Sequence, residues 1–324
     1  MIVLTGGAGF IGSCFLRKLN DQGIKDIIVV DRLGTQMKWK NLLGKKFRKF
    51  VAKDEFRRNL LTKENADSIE AIFHFGACSS TTENDADYLM DNNLNYSIDL
   101  AEFAADHYIR FFYASSAATY GNGNKGYSDK NFEALEPLNP YGLSKSLFDQ
   151  WVIDNDLDNQ FTGIKFFNVF GPNEYHKGDM ASMVFKSFNQ IIKDNKIRLF
   201  RSYNEAFADG EQRRDFVYVK DCIEIIWKMF KKKNFSGIYN LGTGKSRSWN
   251  GLASAVVQSC SLLNPQPAVI EYIDMPDILR SQYQYFTEAE MTKLALSGIK
   301  HEFMELEESV DNYINEHLVP GKYF

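Results

Sequence analysis

Cysteines are few in this sequence, and they are scattered. Only four occur in 324 residues, and none forms a C-x-x-C pair or lies near a cluster of histidines. The sequence therefore predicts no zinc site or other metal site. Isolated cysteines with mostly apolar neighbours are typical of proteins from a reducing compartment.

Long hydrophobic runs and a strong charge of one sign are also missing. The longest apolar runs, such as Ile27–Val30, are far shorter than the roughly 20 residues that span a bilayer. The first apolar run follows Met1 without a basic segment or a cleavage site, which indicates no signal peptide. The net charge of −4 offers no basic face to a nucleic acid. We therefore expect a cytoplasmic protein that binds neither membranes nor nucleic acids.

Short apolar runs alternate with helical patterns over the first 170 residues. Each run is rich in Ile, Val and Phe and is followed by a polar or glycine-containing turn. This alternation predicts βα units that build a parallel sheet buried on both faces. The predicted strands are Ile2–Thr5, Ile27–Asp31, Ala71–Phe75, Phe111–Ser115 and Gly163–Phe167.

The pattern changes at Gly171-Pro172, which is a turn signal. We predict an α/β protein in which residues 1–170 form a Rossmann domain with a doubly wound parallel sheet. Residues 171–324 are predicted to form a smaller α/β substrate-binding lobe. Within it, residues 214–244 read as a strand, a helix and a strand, and we expect them to return to the first domain.

A glycine-rich turn joins the first predicted strand to a helix. Gly7, Gly9 and Gly12 fit G-x-G-x-x-G, whose glycines allow a tight turn, close approach of a pyrophosphate and close helix packing. The helix N-terminus then offers free N–H groups to the anion. Because Asp31 follows Gly12 by nineteen residues, the segment predicts a dinucleotide site rather than a turn that only packs.

The choice of dinucleotide depends on the residues around Asp31, which ends the second predicted strand. A carboxylate at this place usually binds the adenosine ribose, which alone favours NAD. Arg32 follows directly, and a guanidinium there can bind the extra 2′-phosphate of NADP. Lys38 and Lys53 lie downstream. The sequence therefore favours NADP over NAD, unless Arg32 is an ordinary solvated residue.

Tyr141 and Lys145 are four residues apart and share one face of a predicted helix. A nearby ammonium stabilises a phenolate, so we expect the pKa of Tyr141 to fall below its usual value of about 10. Such a tyrosine exchanges a proton with a sugar alcohol near neutral pH. Ser115 ends the fourth predicted strand and Ser116 follows it directly. Ligands bind at this end of the strands in such sheets, and a serine there can hydrogen-bond the reacting oxygen.

Five segments together resemble the extended short-chain dehydrogenase/reductase family, and they span nearly the whole chain. They are T-G-G-A-G-F-I-G from Thr5, S-S-A-A-T-Y-G from Ser115, Y-x-x-x-K from Tyr141, R-D-F-V-Y-V-K-D from Arg214 and Y-N-L-G-T-G from Tyr239. Three further segments resemble the ADP-L-glycero-D-manno-heptose 6-epimerases within that family. These segments are His74–Glu83, Asp91–Asn93 and Phe167–Gly178.

The resemblance implies a redox epimerisation of a sugar nucleotide during lipopolysaccharide core synthesis. C6 of the ADP-heptose is transiently oxidised and is then reduced on its other face. Two acid/base groups would serve the two orientations, namely Tyr141 and Lys177. Lys145 would lie beside the nicotinamide ribose, and Ser116 rather than Ser115 would contact the reacting oxygen. Without the resemblance, Lys177 reads as a solvated lysine in a polar loop.

The same resemblance implies contacts with the cofactor and with the substrate. The cofactor-binding residues would be Gly6, Gly9, Phe10, Ile11, Gly12, Asp31, Arg32, Lys38, Lys53, Phe75, Gly76, Ala77, Cys78, Ser79, Asn92, Lys145 and Lys177. The substrate-binding residues would be Ser116, Asn168, Val169, Asp179, Lys186, Phe200, Arg201, Ser202, Arg214 and Tyr283. Arg214 would bind the diphosphate, unless it forms a surface ion pair with Asp215. Arg32, Phe75, Asp179 and Lys186 depart from the family pattern, which commonly has Asn, Glu, Ser and His there.

Other functions remain open at this point. A UDP-hexose 4-epimerase shares the Ser/Tyr/Lys set, although the loop around Lys177 argues against it. A 4,6-dehydratase usually has acidic residues where this chain has Ala117 and Ala118. A non-catalytic NADP-binding protein would tend to lose Tyr141 or Lys145. The resemblance also implies a homo-oligomer, often a pentamer.

Overall fold

A computed structural model of the chain describes residues 1–59, 66–132, 135–263, 266–280 and 282–324. Its strands are β1 (Ile2–Thr5), β2 (Ile27–Asp31), β3 (Lys49–Ala52), β4 (Ala71–His74), β5 (Arg110–Ser116), β6 (Thr162–Phe166), β7 (Asn168–Phe170), β8 (Lys196–Phe200), β9 (Arg213–Tyr218), β10 (Gly237–Leu241), β11 (Ser246–Ser248) and β12 (Val269–Ile273). Its α-helices are α1 (Phe10–Asp21), α2 (Lys53–Asn59), α3 (Ala86–Leu89), α4 (Tyr96–Asp106), α5 (Pro140–Asp154), α6 (Met183–Asp194), α7 (Val219–Lys231), α8 (Trp249–Ser259), α9 (Asp277–Arg280), α10 (Thr292–Leu296) and α11 (Leu306–Tyr313).

Seven of the described strands form one parallel sheet in the order β10-β6-β5-β4-β1-β2-β3. The strand order reverses at β1, which pairs with β2 on one side and β4 on the other. Ligands of doubly wound sheets bind beyond the carboxyl ends of the strands at such a reversal. The predicted Rossmann sheet is therefore confirmed, and its topology places a binding crevice after β1 and β4.

Apolar side chains cover both faces of this sheet. One core joins the sheet to α1 and α7 through residues such as Phe15, Phe73 and Ile226. The other core packs α4 and α5 against the opposite face. Because the central strands are buried on both sides, their sequences are nearly continuous apolar runs.

The remaining strands form two smaller sheets. One has the order β11-β9-β7, and the other pairs β8 with β12. Within residues 214–244, β10 lies at the edge of the large sheet, whereas β9, which begins one residue before this segment, belongs to the three-stranded sheet. The domain boundary near residue 170 stays a prediction. None of the helices within the described ranges has the length and hydrophobicity needed to cross a membrane.

Candidate active site

A large cavity lies at the carboxyl ends of β1, β4 and β5. It has a volume of about 1090 Å³. Its lining includes nearly all of the residues that the sequence singled out: Gly6, Gly9, Phe10, Ile11, Gly12, Asp31, Arg32, Lys38, Lys53, Phe75, Gly76, Ala77, Cys78, Ser79, Asn92, Ser116, Tyr141, Lys145, Asn168, Val169, Lys177, Asp179, Lys186, Phe200 and Tyr283. The structure thus brings these side chains together at the place where the sheet topology puts a ligand.

The glycine turn after β1 forms the bottom of the cavity. Gly6 has a φ of +68°, and a Cβ there would lie 2.6 Å from the backbone nitrogen of Gly76. A Cβ at Gly12 would lie 2.1 Å from the Gly6 carbonyl oxygen, so only glycine lets α1 approach the turn. No side chain caps the N-terminus of α1, so its first N–H groups lack side-chain partners, and its first three residues line the cavity. This arrangement fits a pyrophosphate.

Gly7 does not have the function that the motif suggested. The left-handed conformation lies at Gly6, and Gly7 does not line the cavity. A Cβ on Gly7 would instead meet Val29 at 2.9 Å, behind the turn. Gly7 therefore serves packing against β2, and Gly6 makes the tight turn.

Asp31 is bound from three directions at the end of β2. Its carboxylate accepts hydrogen bonds from the backbone nitrogens of Ala8 at 2.9 Å and Arg32 at 2.7 Å. Lys38 Nζ lies 2.5 Å from the same carboxylate. The Arg32 side chain is exposed at the cavity. A carboxylate that is already bound to an ammonium is less available to a ribose, and the cations beside it favour an anion.

The segment of residues 75–79 is fixed to the helices on the other side of the cavity. Asn93 accepts a hydrogen bond from the Cys78 nitrogen at 2.8 Å and donates to the Cys78 carbonyl oxygen at 2.9 Å. It also donates to the Ser144 hydroxyl at 3.1 Å, which joins this segment to α5. Asn92 accepts a hydrogen bond from Lys53 at 2.8 Å. The sequence motif contained Asn93, but nothing in it indicated this connection.

Helix α5 carries Tyr141 into the cavity. Its first residue is Pro140, and Asn139 caps it by accepting a hydrogen bond from the Gly142 nitrogen at 2.8 Å. Tyr141 and Lys145 are both buried. The Tyr141 hydroxyl is hydrogen-bonded to Ser116, and Lys145 Nζ donates to the Ala114 carbonyl oxygen at 2.8 Å.

The expected lowering of the Tyr141 pKa is wrong for this arrangement. Burial raises the pKa of Tyr141, and the hydrogen bond from Ser116 offsets only part of that rise. Burial also lowers the pKa of Lys145 to about 8, so a larger fraction of its amine is neutral near physiological pH. The sequence showed that the two residues share a helix face but not how deeply both are buried.

Ser115 and Ser116 have different partners. The Ser115 hydroxyl is buried and donates to Asp149 at 2.6 Å. The Ser116 hydroxyl accepts a hydrogen bond from the Ala118 nitrogen at 3.1 Å and lies beside Tyr141. Of the two serines, Ser116 is therefore the one whose hydroxyl lies beside Tyr141.

Lys177 lies in the turn between β7 and α6. Its backbone nitrogen donates to the Glu174 carbonyl oxygen at 2.9 Å, and its Nζ lies 5.3 Å from the centroid of the Phe10 ring. Burial lowers the pKa of Lys177, Glu174 opposes this effect, and Lys186 adds to it. Lys186 donates to the Asp179 backbone carbonyl oxygen at 2.5 Å, not to its carboxylate.

Three predicted substrate residues do not line the cavity. Arg201 is exposed and pairs with Asp209 and Asp274, and the Ser202 nitrogen donates to Asp209. Arg214 is buried behind the cavity wall, 5.0 Å from the centroid of the Tyr283 ring. Asp215 is bound by Thr243, Gly244 and Ala289, so it does not pair with Arg214.

Several residues of the cavity lining were not predicted as site residues, and Trp249 and His176 are two of them. Trp249 Nε1 donates to the Tyr283 hydroxyl at 2.8 Å and thereby orients that ring. His176 also lines the cavity, and burial together with Lys38 and Lys177 lowers its pKa to about 4. The H-K-G loop could have pointed to His176, whereas no local pattern marks Trp249.

Comparison with known proteins agrees with this geometry. Residues 2–242 match the NAD dependent epimerase/dehydratase family. The chain belongs to this family. The ADP-L-glycero-D-manno-heptose-6-epimerase of Fusobacterium nucleatum is 49% identical over 98% of this chain and 98% of that protein. The crystal structure of the Helicobacter pylori ADP-L-glycero-D-manno-heptose-6-epimerase has a TM-score of 0.80 at 29% identity, with 97% of this chain and 95% of that chain covered.

This chain also shares its fold with a UDP-glucose 4-epimerase from Thermotoga maritima. Its TM-score is 0.77 at 23% identity, over 97% of both chains. Fold alone therefore does not distinguish the substrates of these enzymes. The family is NAD dependent by description, so the cofactor is a nicotinamide dinucleotide, and the glycine turn with the α1 N-terminus fits its pyrophosphate.

Proposed function

We propose that this chain is an ADP-glycero-manno-heptose 6-epimerase with tightly bound NADP. It interconverts ADP-D-glycero-D-manno-heptose and ADP-L-glycero-D-manno-heptose for the lipopolysaccharide core. The observation that carries the proposal is that Tyr141 and Lys177, from separate elements, line one cavity together with the glycine turn. The 49% identity to a heptose epimerase along nearly the whole chain supports the substrate.

The side chains divide the acid/base work of such a reaction. A nicotinamide cofactor held by the glycine turn and the residues around Asp31 would supply the hydride chemistry at C6. Ser116 hydrogen-bonds the C6 oxygen and holds it near Tyr141. Burial keeps Tyr141 protonated, so it enters the reaction as a proton donor, and the lowered pKa of Lys177 favours a neutral amine that accepts a proton.

Two groups are needed because the oxidised sugar must turn before it is reduced. A hydroxyl proton removed in one orientation has to be replaced in the other, and one side chain cannot reach both positions. Tyr141 comes from α5, and Lys177 comes from the turn before α6. A non-catalytic NADP-binding protein has no need for both groups.

The direct test is proton NMR of the purified protein with ADP-D-glycero-D-manno-heptose and no added cofactor. We expect the C6-inverted sugar to appear and NADP to be released when the protein is denatured. UDP-glucose and GDP-mannose serve as matched substrates. If UDP-glucose is inverted and the heptose is not, the heptose proposal is wrong while the family and the reaction type stand.

The choice of NADP rests on Arg32, Lys38 and the occupied Asp31 carboxylate. We expect Arg32→Ala to weaken NADP binding by roughly 10-fold to 100-fold, the value of one hydrogen bond to a charged group. NAD binding should change little, because NAD lacks the 2′-phosphate. Competitive fluorescence titration of both cofactors measures the ratio. Arg48→Ala, which alters an exposed arginine paired with Asp26, is the control, and equal weakening of NAD and NADP would exclude a phosphate contact.

The oligomer is proposed on the sequence resemblance, and the cytoplasmic location on the scattered cysteines and the short apolar runs. A homo-oligomer, often a pentamer in such enzymes, and a cytoplasmic location both stay predictions. Light scattering of the purified chain measures the first.

A further inference from the structure

An ion pair lies beneath the proposed catalytic groups. Tyr141, Lys145 and Asp149 follow one another at intervals of four on α5, so they share one face of the helix. Asp149 is 2% exposed and Lys165, on β6, is fully buried. Lys165 Nζ lies 2.5 Å from Asp149 Oδ2. The pair thus continues the line of Tyr141 and Lys145 into the protein interior.

Hydrogen bonds connect this pair to both sides of Ser116. On one side, the Ser115 hydroxyl donates to Asp149 Oδ2 at 2.6 Å. On the other side, Lys165 donates to the Thr119 hydroxyl at 2.8 Å, and Thr119 donates to the Ser116 carbonyl oxygen at 2.8 Å. The backbone of Ser116 is therefore held between the two members of the pair.

Stability alone is a weak explanation for such a pair. Burial removes both charges from water, and well-packed apolar residues of similar volume are often as stable or more stable. The surroundings of Asp149 and Lys165 include the aromatic residues Tyr113, Tyr120 and Phe132. An ion pair at this place therefore calls for an explanation other than packing.

The charges of the pair act on the groups above it. The Asp149 carboxylate raises the pKa of Lys145 against the effect of burial, and it also raises the pKa of Tyr141. The other titratable groups facing Lys145 or Tyr141 are Cys78 in the segment after β4 and His74 on β4. The cation of Lys165 balances the carboxylate from the β6 side.

We propose that Asp149 and Lys165 form a positioning pair that aligns Ser116 and balances the charge beneath Tyr141 and Lys145. Neither residue touches the cavity, so both act through the residues above them. The inference deepens the proposed function, because it concerns the same reaction at the same site.

The two halves of the pair should move the pH dependence in opposite directions. Asp149→Asn removes a negative charge that favours the protonated forms of Lys145 and Tyr141, so the pH–kcat profile should shift to lower pH. Lys165→Met leaves the carboxylate unbalanced and should shift the profile to higher pH. Each shift should be about one pH unit, as for a neighbouring charge. The Asp149→Asn/Lys165→Met double variant should return close to the wild-type profile.

Alignment is tested separately by Thr119→Val, which removes the hydroxyl between Lys165 and Ser116 but keeps both charges. We expect kcat to fall by roughly 10-fold to 100-fold, because small misplacements of reacting groups have effects of this size. KM and the pH profile should stay as in the wild type. This variant also keeps the proposal testable if the two charge variants fail to fold.

Asp221→Asn is the matched control, since the buried Asp221 pairs at 2.8 Å with the partly buried His301 outside the cavity. It should lower stability without moving the pH profile of the folded enzyme. Shifts of Asp149→Asn and Lys165→Met in the same direction, or no shift in either, would overturn the positioning pair, and so would full turnover by Thr119→Val. A wild-type protein that leaves the heptose unchanged would instead contradict the proposed function. In that case the pH at which Tyr141 ionises is measured from its phenolate absorbance, taken as the difference from Tyr141→Phe. This pH must still shift in opposite directions in the two charge variants.

Discussion

Tyr141→Phe is expected to lower kcat for heptose epimerisation by about 100-fold to 10,000-fold, the usual contribution of a positioned acid or base. The substitution removes one hydroxyl and leaves the ring that packs in the cavity. Because burial raises the pKa of Tyr141, its contribution near neutral pH is that of a proton donor, and phenylalanine has no proton to give. The measurement is the steady-state rate by NMR, with the bound cofactor determined after denaturation.

The control for this variant is Tyr239→Phe. Tyr239 is buried to a similar degree, and its hydroxyl donates to the Ser236 carbonyl oxygen away from the cavity. It should leave kcat close to the wild-type value. Loss of cofactor from Tyr141→Phe would indicate a binding function instead, and unchanged turnover would remove Tyr141 from the mechanism.

Most of the large sheet could be predicted because its central strands are buried on both faces. Such strands have continuous apolar sequences, and the runs at β1, β2, β4, β5 and β6 were found within one or two residues. The edge strand β3 was missed, since three of its four residues are at least partly exposed and it begins with a lysine. Its pairing with β2 is a long-range contact that local composition does not reveal.

The candidate site was predictable where its chemistry depends on short spacing. The glycine turn and the Tyr141–Lys145 pair are set by local helix geometry, so the pattern was enough to find them. Burial is not local, and for this reason the direction of the Tyr141 pKa shift was wrong. Arg214 and Asp215 are neighbours in β9, and successive side chains of a strand point to opposite faces, which separates them.

The pair of Asp149 and Lys165 is a second feature that local sequence patterns could not reveal. Asp149 lies on a helix and Lys165 on a strand, and no short motif contains both. The sequence therefore offered Ser115 and Ser116 as equivalent neighbours, and only family resemblance chose between them. In the structure the choice follows from one contact, because Asp149 binds the Ser115 hydroxyl and leaves Ser116 beside Tyr141.

Lys177→Met should lower kcat by about 100-fold to 10,000-fold as well, since it removes the second acid/base group while keeping the length of the side chain. As a proton acceptor, Lys177 acts through its neutral amine and not through its cation. Burial lowers its pKa, so a larger fraction of the amine is neutral near physiological pH. Steady-state rates across a pH series measure the loss, and Lys193→Met, on the exposed face of α6, should have no effect. Wild-type turnover by Lys177→Met would exclude the lysine as a proton acceptor.

The neighbours of Lys177 determine the pH at which the acidic limb of the pH–kcat profile falls. A base is active only when deprotonated, so the wild-type rate should fall as the pH drops through the pKa of Lys177. Lys186 lowers that pKa and Glu174 raises it. Lys186→Met should therefore move the limb to higher pH, with the rate recovering at alkaline pH, and Glu174→Gln should move it to lower pH. Both variants would lose their effect on the limb in the Lys177→Met background, because the group that they tune is then absent.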